Sequence, residues 1–346
     1  MSQFKVLASI ALVGIASVGC ERAEPIQWAS SEAVKALPDE ALQKELADLV
    51  NEHAGTAQAP KLVNNDKQTF EQSLHLKHGQ AVYMKRCVQC HGVSGDGNGP
   101  TAEFMYPRPR DYTKAVFKFT STSYGSRPVR DDLVRTVLNG VTGTSMPSFD
   151  LLPEKDIQAV VDYVIVLAQR GDLESQLALE ADAAEELDPE YLPDIFDDIK
   201  NKWTGVSATY PLSPQPVFTD EAAELGRKAF LTKGCSGCHG NDGRGHTAEN
   251  FKRKDSWGFP TRAADLTSGM LRGGQRPIDI YRRILNGING TPMPGFKGAL
   301  QKEPETIWHL VAFVIKVNNQ RRFGEEFTAG LMQPYGEMSG DGSDSK

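Results

Sequence analysis

The stretch that decides the fold is CVQCH at 87–91, and the same pattern returns as CSGCH at 235–239. The chain has 346 residues and five cysteines, and four of the five lie in these two stretches. Working outward, the surroundings of the two copies match in order over a full domain length, Gly79–Ala168 against Gly226–Val317. Each copy opens with a helical stretch, GQAVYMKRC or GRKAFLTKGC, and runs into its Cys-x-x-Cys-His. A glycine-rich loop follows, GVSGDGNGPT or GNDGRGHT, and then a proline-containing loop ending in Asp and Thr, PRPRDYT or FPTRAADLT. LVRTVLNGVTGTSMPSF then aligns with IYRRILNGINGTPMPGF, and each copy closes on an apolar helix, DIQAVVDYVIVL or TIWHLVAFVIKV. Two similar domains are the simplest reading.

Cys-x-x-Cys-His is an attachment pattern for a c-type haem. The two thiols add to the two vinyl groups of the porphyrin, and the adjacent imidazole reaches the iron. Other chemistries also use Cys-x-x-Cys: a redox dithiol, one half of a four-cysteine zinc site, or a plain disulfide. A dithiol does not require a histidine directly after the second cysteine, and here that happens twice. Zinc knuckles are usually much closer in sequence. Neither alternative explains a methionine at a matching distance: His91 to Met146 spans 55 positions and His239 to Met293 spans 54.

At this level of detail both repeats resemble the class I cytochrome c domain. The resemblance implies a mainly α-helical protein with two such domains in tandem, each a few helices around one covalent haem. Cys87, Cys90 and His91, and Cys235, Cys238 and His239, are then the attachment residues, with His91 and His239 as proximal iron ligands. The family's paired helices place Gly79 with Tyr83, and Gly226 with Phe230, against the closing-helix aromatics Tyr163 and Phe313. The sixth ligands become Met146 and Met293, each in Gly-Thr-x-Met-Pro. The following prolines, Pro147 and Pro294, push each methionine into extended backbone, and Gly143 and Gly290 allow a close turn. Histidine–methionine ligation raises the potential and fills both axial positions, which suits electron transfer. A loop proline after the motif (Pro107 or Pro109, and Pro260) is expected to offer the carbonyl that orients the proximal histidine. Arg127, Arg276, Trp257 and Tyr112 are candidates for the haem propionates. His246, in the second glycine-rich loop, is a solvent-exposed histidine or a rival ligand.

The formal net charge of −7 excludes a general nucleic-acid binder. Residues 1–19 read as a signal peptide, with one early positive charge and an apolar run too short to span a bilayer comfortably. Cys20 follows directly, as in a bacterial lipobox, although Ser17 stands where that motif usually has Leu; ordinary cleavage nearby and an uncleaved anchor are the alternatives. Every one of these readings places the body outside the cytoplasm, on the periplasmic side of a bacterial membrane. The remaining organisation is a spacer over 20–73 with a helix near 39–54, domain one over 74–171, an acidic then proline-rich linker or insertion over 172–217 whose charge run reads as a solvated face, domain two over 218–322, and a tail over 323–346. The helix near 39–54 is expected to pack on its own protein through Leu42, Leu46, Leu49 and Val50.

Two functions follow. One is a di-haem electron carrier working with respiratory redox partners, free or as a subunit of a membrane complex, with no catalytic residues. The other is a di-haem peroxidase, which needs one iron with an open distal side and acid–base groups beside it. A methionine loop in both halves favours the carrier.

Overall fold

Helix start signals open each repeat. Thr69 accepts from the Gln72 amide while the Gln72 side chain takes the Thr69 amide, a reciprocal cap for the helix Phe70–Arg86. In the second repeat Thr219 caps Asp220–Thr232 by accepting from the Ala222 amide. The structure, a computed structural model, describes residues 25–184 and 186–323. The signal peptide, Cys20 and the tail beyond 323 lie outside the described residues. The regular structure among the described residues is helical, apart from a two-residue hairpin pairing Gly55–Thr56 with Ala59–Pro60 and one isolated bridge between Lys254 and Pro260, and long loops join the helices. Among the described residues no helix is long and apolar enough to cross a membrane.

In each repeat the opening helix crosses the closing helix at a glycine. A Cβ at Gly79 would lie 2.1 Å from the Ala159 carbonyl oxygen, and one at Gly226 would lie 1.9 Å from that of His309. Bare backbone therefore touches backbone at both crossings. The expected aromatics fill the space beside them: Tyr83 and Tyr163 sit 5.3 Å apart by ring centroid, and Phe230 and Phe313 5.0 Å. The third helix of each repeat, Arg130–Asn139 or Pro277–Asn286, leads into the methionine loop. Tyr281 and Trp308 pack at 4.3 Å in the second core, and the Trp308 indole donates to the Ser213 carbonyl.

The closing helix of the first repeat does not stop with the repeat. It runs unbroken over Glu154–Ala184, so a boundary at 171/172 falls inside it. Its second half joins the helices Glu40–Ala54 and Leu192–Thr204 in a third core, made of Val34, Leu42, Leu46, Val50, Leu173, Leu177, Phe196 and Ile199 among others. Asp39 caps the first of these helices, Gly55 ends it, and Leu42, Leu46 and Val50 are buried while Leu49 is partly so. The helix thus packs on its own protein.

The acidic stretch is not simply a solvated face. Gln169, Arg170, Asp172 and Glu174 are buried at the middle of the long helix. They hold other segments: Gln169 accepts from the Val63 amide, Arg170 donates to the Gly55 carbonyl, and Glu174 accepts from the Ser31 amide. Buried polar groups bonded in this way fix one register of packing. The proline-rich end, residues 206–217, lies across the two repeats. Thr209 donates from its amide and its hydroxyl to the Ser121 carbonyl, and the Leu212 amide donates to the Tyr281 hydroxyl.

We expect Gly226→Ala to destabilise the folded protein by about 1–3 kcal/mol, although alanine is the better helix former by about 1 kcal/mol. The obstacle is a backbone oxygen, which cannot rotate away. Guanidinium unfolding of the mature protein measures this; an unchanged or raised midpoint would show that the crossing tolerates a methyl group.

Candidate functional site

Each Cys-x-x-Cys-His forms one short helical turn behind the opening helix, Val88–His91 and Ser236–His239. The His91 amide donates to the Cys87 carbonyl at 2.9 Å and the His239 amide to the Cys235 carbonyl at 3.0 Å. This turn sets the two thiols of each motif on the same side as its imidazole. All four cysteines are free and partly buried. Among the described residues no group of three or more His, Cys, Asp or Glu is placed to hold a metal ion. Among the described residues neither a disulfide nor a four-cysteine cluster is formed. Burial, with Cys90 alongside, pushes the Cys87 thiol up to about 12, and burial also raises Cys235. The Cys87 and Cys235 sulfurs are therefore held as neutral thiols.

The glycine-rich loops return to the motif. Gly97 donates to the His91 carbonyl and Gly245 to that of His239, while Tyr112 donates to Gly95 and Leu266 to Gly243. The loops thereby bring one carbonyl under each imidazole: His91 Nδ1 lies 3.0 Å from the Arg110 oxygen, and His239 Nδ1 lies 3.0 Å from that of Ala264. A carbonyl can only accept, so Nδ1 carries the proton and Nε2 keeps its lone pair. Burial lowers both imidazoles below the ordinary histidine value, which favours the neutral ring. The carbonyls are not those of Pro107, Pro109 or Pro260. They belong to the residue before the loop aspartate, whose carboxylate accepts from the amide and hydroxyl of a threonine two residues on. These pairs are Asp111 with Thr113 and Asp265 with Thr267. The matching Asp-x-Thr in both copies is the sequence signal that locates them.

The methionine loops are built alike. Val141 donates to the Met146 carbonyl and Ile288 to that of Met293, both at 3.1 Å. Thr144 and Thr291 each donate a hydroxyl back to that valine or isoleucine and accept from the methionine amide. Gly143 and Gly290 hold φ of 72° and 71°, the left-handed region that favours glycine. Both methionines are half-buried.

The propionate candidates separate. Arg127 is committed to Asp172 in a two-pronged pair at 2.6 and 3.0 Å, and Arg276 to Asp279 at the start of its own helix. Both are structural ion pairs. Tyr112 stacks on the His91 ring at 4.7 Å. The Trp257 indole N–H is buried without a partner. His246 is exposed. His75 and His78 pair with Asp162 and Asp156, and His53 packs on Phe196.

Comparison with known proteins carries the same duplication. The family described as cytochrome c oxidase, cbb3-type, subunit III matches residues 75–164, and the family described as cytochrome c matches 223–318. The chain belongs to the c-type cytochromes. Among solved structures, the reducing HAO-like protein complex of Kuenenia stuttgartiensis contains a chain 31% identical, with a TM-score of 0.55, the match covering 70% of this cytochrome and 96% of that chain. No curated protein matches it. Cytochrome c domains imply covalently bound haem c and electron transfer as its use, and such domains are typically exported to the periplasm. The residues present fit that group. Each domain of the cytochrome offers two free thiols, an imidazole protonated at Nδ1 with Nε2 available, and a thioether on a preset loop.

We expect Thr291→Val, which keeps shape but removes two hydrogen bonds of about 1 kcal/mol each, to speed hydrogen exchange at the Met293 amide about tenfold or more. Thr144→Val should do the same at Met146. Unchanged exchange would mean that the turn is held without the hydroxyl.

Proposed function

We propose that this cytochrome carries two haem c groups and passes single electrons between redox partners as a subunit of a larger assembly. Cys87 and Cys90 bind one group and Cys235 and Cys238 the other, with His91 and Met146, and His239 and Met293, as the axial pairs. The observation that carries this reading is the duplicated pairing of an Nδ1-anchored histidine with an identically hydrogen-bonded Gly-Thr-x-Met-Pro loop. A bound haem iron takes up and returns one electron, and its potential rises with histidine–methionine ligation.

The protein's own groups serve that exchange without proton chemistry. The Arg110 and Ala264 carbonyls fix the two imidazoles, so neither has to turn when the charge on the iron changes. The threonine-braced loops would offer Met146 and Met293 as thioether ligands to a bound iron, which would leave no open position for water or oxygen. That both loops are built alike favours a carrier over a di-haem peroxidase, which needs an open distal side. The similar chain in the reducing HAO-like complex supports a role beside other subunits. The third helical core supplies surface for one. Residues 1–19 act as an export signal, with acylation of Cys20 holding the protein at the periplasmic face of a membrane.

Mass spectrometry of protein matured in a host competent for haem attachment should show two haem additions per chain, and Cys87→Ala/Cys90→Ala should show one. One addition in the parent protein would refute the assignment. Reduced protein should bind no carbon monoxide, while Met146→Ala or Met293→Ala should bind one equivalent and lower one potential; stoichiometric binding by the parent would favour the peroxidase. Cys20→Ser should move the protein from the membrane to the soluble fraction, and retention would exclude acylation as the anchor.

A further inference from the structure

The two redox domains meet along a seam whose centre is a stacked pair. The Arg110 guanidinium lies over the Trp257 ring, 3.7 Å from its centroid. Each partner is tied to a different metal-ligand element. Arg110 supplies the carbonyl that orients His91. Trp257 presses on the other methionine loop: a Cβ at Gly290 would lie 2.4 Å from its ring, so the ring and the loop backbone are in direct contact. The same loop touches the first domain a second time through Val116, 3.1 Å from that Cβ position. The neighbouring Ser256 amide donates to the Gly290 carbonyl.

The surroundings hold this stack in place. Lys118 pairs with Asp255 across the seam at 3.1 Å, with both side chains largely buried. Asn289 accepts from the Gly125 amide and donates to the Ser126 carbonyl, and the Tyr124 hydroxyl donates to the Thr291 carbonyl. Arg110 itself makes no ion pair among the described residues, although Asp255, which is paired with Lys118, and Asp111 both lie near enough to attract its charge. A positive charge therefore stands between the two sites with an aromatic face as its contact, an arrangement worth more when water is excluded.

We infer that Arg110 and Trp257 are positioning residues that couple the two redox centres, so that each contributes to the potential at both. The inference rests on the two-haem reading above. The physical argument is twofold. A cation in a low-dielectric seam favours the less positive, reduced state of either iron, by an amount set by distance and water exclusion. The stack also joins the carbonyl behind one histidine to the loop behind the other methionine through packed atoms, so a shift at one end displaces the other.

Spectroelectrochemical titration of the mature protein tests this. The parent should titrate in one-electron steps from two haems. Arg110→Met should lower both potentials, each by a threefold or larger change in equilibrium constant, about 28 mV by the one-electron constant of 59 mV per tenfold. Trp257→Ala, which lets water reach the guanidinium, should also lower both, while Trp257→Phe, which keeps an aromatic face, should restore them. Arg110→Lys keeps the charge and should recover part of the shift. If either Arg110→Met or Trp257→Ala moves only one potential, the coupling is refuted and the two-haem reading stands. If the parent shows only one haem, that reading falls instead. Should Trp257→Ala fail to mature, the Arg110 pair alone decides, since either both potentials move or the inference is wrong.

Discussion

Everything in this cytochrome hangs on two places where helix backbones touch. At Gly79 and Gly226 no side chain separates the opening helix from the closing one, and the distance between their axes follows from that. The position of the Cys-x-x-Cys-His turn is set by the end of the opening helix. The glycine-rich loop is set by the turn, and the carbonyl beneath each imidazole by the loop. A chain of short hydrogen bonds carries the crossing geometry to His91 and His239. The methionine loops approach from a third helix packed on the same pair. A site assembled this way does not need a large apolar core of its own, since a bound porphyrin completes it.

The two repeats were legible in the sequence because their signals are local and doubled. A cap, a helical period, a motif and a Gly-Thr-x-Met-Pro turn each reside within a few residues, and a second copy checks every one. The aromatic pairs at the crossings and the left-handed glycines followed from the same stretches. What escaped was long-range. Arg110 looked like one arginine among several in a proline-rich loop, and only the fold brings it to Trp257, far along the chain. Arg127 and Arg276 invited a role at the prosthetic group, but the fold brings Asp172 to Arg127, and Asp279, only three residues on, takes Arg276. The acidic run read as solvated because charge counts do not reveal which carboxylates face a backbone amide. Glu174 does, accepting from the Ser31 amide, while Asp172 takes the Arg127 guanidinium, and both are buried.

The seam and the third core show how a duplicated fold becomes one object. The two copies differ most where they meet: Arg110 stands where the second copy has Ala264, and Trp257 has no aromatic counterpart doing the same task in the first. Divergence at a handful of loop positions supplied a cation on one side and a ring on the other. The strap through Thr209 then crosses both, so the order of segments along the chain also closes the interface.

The helix Glu154–Ala184 belongs to two parts of the molecule at once. At 31 residues it extends about 46 Å, and one half lies under the first redox fold while the other belongs to a separate bundle. It is a girder shared by two rooms. Gly171 marks the threshold, where the Thr113 backbone rests on it so closely that a methyl group would not fit. A protein cut down to its two recognisable repeats would keep only half the girder, losing Leu173, Leu177 and the close Gly171 contact with Thr113. The bundle that family resemblance passes over is thus a foundation of the first redox fold.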